Sequence, residues 1–185
     1  MRIFVALDID DAIRERIQRF MDGVRGFAPD ARWVRAESLH VTLKFIGEKP
    51  ADAVEQIKQA LSVIQGEAIA MSFGGYGFFP TLKAARVFWI GIESGQPLAS
   101  LAKAVDEATA ALGVPREERP FSAHLTLARG GGGSGTPRWQ RLQEKLAALS
   151  APEFGTMTAR EFFLYESQLG RGGSRYTKIA RFALR

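Results

Sequence analysis

The chain has 185 residues, 46% of them apolar, with thirteen phenylalanines and three tryptophans, enough for one sizeable core. It has no cysteine, which excludes disulfides, thiolate metal sites and cysteine nucleophiles. A net charge of +5 suits an anionic partner without identifying one. No apolar run reaches the ~18 residues of a membrane span and no basic leader precedes one, so a soluble cytoplasmic protein is expected.

Residues 2–8 read as a buried strand. Ile13, Ile17, Phe20 and Val24 form one helical stripe, which Gly26 and Pro29 end. Trp33-Val34-Arg35 leads into a strand through His40 to Ile46, and Val54, Ile57, Leu61 and Ile64 mark a second helix. A strand over 68–74 precedes a glycine and aromatic segment, 74–80, expected to be a loop; Phe78 and Phe79 there fill the core or stack on bases. Residues 86–92 are a strongly apolar strand. Leu98, Leu101, Val105, Ala108 and Leu112 define a third helix, and a charged connector, 115–120, leads to a strand over 121–128. A glycine-rich loop, Gly130 to Gly135, precedes a fourth helix marked by Trp139, Leu142, Leu146 and Leu149. Residues 155–165 and 175–184 are expected to be two late strands joined by a loop at 170–173. Helices alternate with strands, yet several strands follow one another directly, which points to α+β rather than a purely parallel sheet.

The two histidines of the chain, His40 and His124, each open a His-x-Thr-Leu tetrapeptide. Leu39, Val41 and Leu43 alternate with His40 and Thr42, as Leu125 and Leu127 do with His124 and Thr126. On a strand this gives one aliphatic face and one face holding an imidazole and a hydroxyl about 7 Å apart. A helix precedes and another follows each copy. The simplest arrangement is one domain over 1–185 with two pseudo-symmetric lobes, each giving one histidine strand to a shared cleft.

Other patterns carry less. Gly130, Gly132 and Gly135 match G-x-G-x-x-G, but in a run of glycines the match is nearly automatic, and no clear βαβ unit surrounds it. The widely separated histidines lack metal-ligand spacing, so no metal or cofactor is expected. Arg171, Arg175, Lys178, Arg181 and Arg185 are a solvated edge or, at Arg175 and Lys178, face a phosphate; the sequence leaves both open.

Two imidazoles across a cleft suit phosphoryl transfer to water. One, neutral, takes a proton from the nucleophile; the other, protonated, gives one to the leaving alkoxide. Threonine hydroxyls two residues on can donate to the non-bridging oxygens that carry transition-state charge. The positions alone do not say which histidine is donor.

These motifs, with Arg2-Ile3-Phe4-Val5-Ala6-Leu7-Asp8, Trp33-Val34, Lys44-Phe45-Ile46-Gly47, Phe121-Ser122-Ala123, Ala128-Arg129, Leu164-Tyr165-Glu166-Ser167 and Tyr176-Thr177 before Ala180-Arg181-Phe182, resemble the 2H phosphoesterases. Within them they resemble the RNA 2′,3′-cyclic phosphodiesterases, also called 2′-5′ RNA ligases. Ala123 departs from the proline common before the second histidine. The resemblance implies a bilobal, pseudo-two-fold α+β fold, with two antiparallel sheets around a central cleft and helices outside. It implies hydrolysis of RNA 2′,3′-cyclic phosphate ends, tRNA fragments among them, to 2′-phosphomonoesters without metal or ATP, and joining to a 5′-hydroxyl. By motif, His40 is the proton donor, His124 the acceptor, and Thr42 and Thr126 hold the phosphate. Lys44 and Arg129 are further phosphate ligands; regular alternation favours Lys44, since Arg129 needs the strand to bend. Arg175, Tyr176 and Lys178 are candidate RNA contacts. A monomer is expected. The alternatives are a relative acting on small cyclic nucleotides and an RNA-binding module without catalysis.

Overall fold

The computed structural model describes residues 1–130 and 139–185. Its strands are β1 (Arg2–Leu7), β2 (Arg32–Trp33), β3 (Val41–Glu48), β4 (Ile69–Phe79), β5 (Val87–Ser94), β6 (His124–Arg129), β7 (Glu153–Ala159), β8 (Glu161–Gly170) and β9 (Gly173–Ala183). Its helices are α1 (Asp11–Val24), α2 (Ala51–Ser62), α3 (Gln96–Ala110) and α4 (Gln140–Ala147). Two antiparallel sheets form, ordered β3-β1-β8-β9 and β2-β6-β5-β4-β7. The fold is α+β.

The two sheets repeat one plan. β1-α1-β3-α2 and β5-α3-β6-α4 follow the same order along the chain, and in each sheet the histidine strand pairs with the strand that opens its unit. With β2 set aside, β3-β1-β8-β9 corresponds to β6-β5-β4-β7.

β1 shows how a sheet serves two purposes. Alternate residues Ile3, Val5 and Leu7 enter the main core with the helix stripes, including Ile13, Ile17 and Met21 of α1. Phe4 and Ala6, on the other face, join Phe163 and Tyr165 in a separate small cluster. Five consecutive apolar side chains, Ile3 to Leu7, follow from burial on both faces.

Three sequence expectations change. The segment 74–79 is a continuation of β4, with Pro80 just past its end and a register shift at Gly75, whose φ of +68° glycine adopts without strain. Phe78 stacks on Phe88 and meets Trp139 in the core, while Phe79 is exposed. The single strand expected over 155–165 is two, β7 and β8, separated at Arg160 and paired into different sheets. The late loop is a tight turn at Arg171-Gly172, since Gly170 still pairs with Gly173. Gly132 and Gly135 lie outside the described residues; the N–H of Gly130 donates to the Arg86 carbonyl at 2.8 Å.

The histidine strands carry matching irregularities. Opposite β1, Val5 pairs with Lys44 and Ala6 with Thr42, so Leu43 has no opposite residue. Opposite β5, Phe88 pairs with Ala128 and Trp89 with Thr126, so Leu127 has none. Each is a bulge one residue beyond the threonine. From Val41 to Phe45 the side chains run buried, half-buried, buried, buried, exposed, and from Leu125 to Arg129 the order is the same. The bulge turns two successive side chains to the core and resets the alternation.

Lys44 is therefore inside. Its side chain is 2% exposed; Nζ donates to Asp106 Oδ1 at 2.6 Å and to the Pro115 carbonyl at 2.6 Å, and lies 3.4 Å from Glu117. It ties β3 to α3 and to the connector before the second histidine strand. Lys44→Ala should lower stability by about 2–4 kcal/mol, because it strips Asp106 of its cation and leaves a hole. Urea unfolding would measure this, and a change within 0.5 kcal/mol (order of magnitude, as for a surface site) would contradict it.

Candidate active site

His40 immediately precedes β3, which opens at Val41 rather than running through the histidine, and lies on the face opposite the main core. Its ring packs against Tyr165 (4.6 Å between centroids), Tyr176 (5.5 Å) and Phe4 (6.2 Å). Nδ1 lies 3.1 Å from the Ser38 carbonyl. That carbonyl can only accept, so Nδ1 carries the proton and Nε2 is the nitrogen left for chemistry.

Behind the ring runs a charged brace. Asp8, just past β1, accepts Lys178 Nζ on Oδ2 at 2.6 Å and Arg14 on Oδ1 at 2.9 Å. Arg14 also donates to the carbonyls of Ala36 and Leu39, which fixes the turn that delivers His40. Burial alone raises the Asp8 carboxyl, but the Lys178 hydrogen bond and the neighbouring cations outweigh it and hold the group below its ordinary range. His40 is pushed below the usual histidine value, first by desolvation and then by the Arg14 charge, which the Ser38 carbonyl and Asp8 only partly oppose.

Tyr165 completes this wall. It is 2% exposed, stacks on Phe4 at 5.1 Å, and its hydroxyl makes no hydrogen bond among the described residues. Burial, with Asp8 nearby, raises its phenol far above the ordinary range, so it stays protonated. His40, Tyr165, Tyr176, Arg175, Lys178 and Arg35 line one open cleft of about 720 Å³.

The second motif has plainer surroundings. His124 is exposed and meets the indole of Trp89 at 6.0 Å. Register puts His124 opposite Gly91 and Thr126 opposite Trp89. Gly77, across from Trp89 on β4, leaves room for the indole: a Cβ there would come within 2.1 Å of it.

The bulges reverse the expectation for the two cationic candidates. With alternation reset, Arg129 falls on the face of His124 and Thr126 and is exposed, whereas Lys44 leaves the face of His40 and Thr42. Phe45 takes the corresponding place on the face of His40 and Thr42, 69% exposed and 5.9 Å from the Phe4 ring. Arg175 lines the cleft, Tyr176 touches the His40 ring, and Lys178 reaches the site only with its amine held by Asp8. Sequence reading missed Asp8, Arg14, Tyr165 and Trp89. The signal for Asp8 was present: a carboxylate ending an apolar strand two-sidedly buried is set for a partner.

The chain leaves the five-stranded sheet for β3 beside the second motif. β2 pairs with β6 at Arg32–Arg129 and Trp33–Ala128, and the Val34 N–H donates to the Leu127 carbonyl at 2.9 Å. Six residues later the chain reaches His40, which lies within roughly 20 Å of that hydrogen bond on chain length alone. Among the described residues no cluster of three His, Cys, Asp or Glu side chains is arranged to hold a metal ion. No described helix is long and apolar enough to cross a membrane.

Two like sheets, each with one His-x-Thr strand bulged at the same place, are the architecture of a 2H phosphoesterase. The chain belongs to the LigT-like phosphoesterase family, whose model matches twice, over residues 7–89 and 90–176, one histidine in each. It is 34% identical to the RNA 2′,3′-cyclic phosphodiesterase of Archaeoglobus fulgidus, covering 98% of this chain and 99% of that one. With the enzyme of the same name from Methanothermobacter thermautotrophicus it shares 31% identity, over 100% and 99% of the two chains. The crystal structure of Escherichia coli LigT complexed with 3′-AMP superposes with a TM-score of 0.80 at 30% identity, covering 99% of this chain and 97% of that one.

The environment of His40 has a direct consequence. Followed by NMR of the imidazole Cε1–H in the His124→Ala protein, His40 should titrate below pH ~6.5, the ordinary histidine value. A midpoint above that value would mean that Asp8 and Ser38, not burial and Arg14, govern the ring.

Proposed function

We propose that the protein hydrolyses RNA 2′,3′-cyclic phosphate ends to 2′-phosphomonoesters by two-histidine general acid–base catalysis. The observation that carries this reading is the pair of His-x-Thr strands, one per sheet, with the same bulge and the same order of burial. The names of the full-length relatives support the substrate.

In this scheme Nε2 of neutral His124 takes a proton from water as its oxygen bonds to phosphorus. The P–O3′ bond breaks, and protonated His40 gives its Nε2 proton to the departing 3′ oxygen. The ribose keeps the phosphate on O2′. A depressed pKa makes His40 a stronger acid toward that oxygen, and an arriving phosphate anion favours its protonated form. The hydroxyls of Thr42 and Thr126 donate to the non-bridging oxygens, and Arg129 offsets their charge. Tyr165 and Phe4 hold the ring of His40, and exposed Phe45 offers a face on which the terminal base can stack. A 5′-hydroxyl in place of water would yield a 2′-5′ phosphodiester by the same proton movements.

The test is product analysis of an RNA oligomer ending in 2′,3′-cyclic phosphate, incubated with the protein in excess EDTA. A 2′-phosphate should form. His40→Ala or His124→Ala should lower kcat/KM by 10²-fold or more, on the order expected for losing a general acid or base. A 3′-phosphate product, or an active double variant, would overturn the scheme. The kcat/KM profile should be bell-shaped with its acid limb below pH ~6.5, because the free-enzyme pKa of His40 lies below that value.

A further inference from the structure

The cleft beside His40 does not end at Lys178. Lys178 also lines a second pocket, of about 360 Å³, with Glu161, Phe163, Ile179, Ala180 and Arg181. Both hollows lie on one face of the β3-β1-β8-β9 sheet. Register puts Lys178 opposite Tyr165 and Arg181 opposite Phe163, and the skipped residue between them, Ile179, keeps these two cations on the same side although they are three positions apart. Lys178 bridges the two pockets physically: its amine stands 4.2 Å above the Phe163 ring and is held by Asp8.

From Tyr176 to Arg181 this face extends roughly 16 Å along β9, at a strand's rise per residue. A cyclic nucleotide held at His40 fills the first hollow. A phosphate can reach Arg181 only if further nucleotides follow the terminal one. Resting on the activity proposed above, we infer that the β9 face is a tail groove that tracks the phosphate backbone of the RNA upstream of the cyclic end, making the enzyme prefer oligonucleotides to mononucleotides.

The chemistry of the groove fits a backbone rather than bases. Lys178 and Arg181 are spaced along it, Arg175 lines the cleft at its His40 end, and Phe163 is buried under Lys178. Contacts of this kind position a strand without reading its sequence. The one carboxylate in the outer pocket, Glu161, lies 3.4 Å from Arg181, with Arg181 72% exposed. Such an exposed ion pair is weak and readily gives way to a phosphate. Lys178 and Arg181 are both exposed on this face.

The test compares kcat/KM for a mononucleotide and a tetranucleotide, both ending in 2′,3′-cyclic phosphate. The tetranucleotide should be preferred at least tenfold at low salt, and the preference should shrink as salt rises, since it comes from phosphate contacts. Arg181→Gln should cut the ratio threefold or more. Glu161→Gln, which removes the competing carboxylate, should raise it. A merely structural role would not move the ratio in opposite directions. Turnover of both substrates with a ratio near one, or both variants shifting the ratio the same way, overturns the groove alone. No turnover of either substrate sinks the underlying activity and the groove with it.

Discussion

The extra residue in each histidine strand decides what surrounds the site. A strand of regular pleat would set His40, Thr42 and Lys44 on one face and bury Phe45. Leu43 interrupts that count, so Leu43 and Lys44 both turn to the core and Phe45 turns out. Leu127 does the same for Ala128 and Arg129. The imidazole and hydroxyl come before the bulge and share a face in either case. Everything after it is exchanged, including which lobe presents a cation and which an aromatic ring.

The backbone device is shared, but the two imidazoles stand in different media. His40 has three aromatic rings around it and Arg14, Asp8 and Lys178 behind it. His124 is exposed beside one indole. A pseudo-two-fold site would treat the two ends of a substrate alike. Desolvation and the Arg14 charge push His40 below the usual histidine value, which suits the donor role proposed for it.

Most of the fold was legible because hydrophobic period reports burial directly. The stripes of α1 to α4 and the alternation around both histidines are found where they were expected, except that Ile64, Leu112 and Leu149 fall beyond the ends of their helices. What failed has physical causes. A bulge leaves no mark on composition, so Lys44 was placed by alternation that the strand does not keep. The glycines of 74–77 read as a loop, although here they serve a strand: Gly75 takes the positive φ of an irregular register, and Gly77 makes room for Trp89. One apolar run over 155–165 hid a change of sheet at Arg160, because strands in both sheets have the same period. Asp8 and Arg14 escaped notice because their meaning lies in contacts across 170 and 25 positions of sequence, to Lys178 and to the Leu39 carbonyl.

Contacts beside both bulges also tie the approach to one histidine to the strand of the other. Leu127, unpaired across β5, offers its carbonyl to Val34, in the segment that carries the chain toward His40. Lys44, turned inward by the bulge at Leu43, reaches Asp106 of α3 and the Pro115 carbonyl of the connector that leads to His124. Each histidine strand thus holds the approach to the other, one by a backbone hydrogen bond and one by a buried ion pair. These contacts couple the placement of one imidazole to that of the other, as the proposed scheme, with both acting at one phosphorus atom, requires.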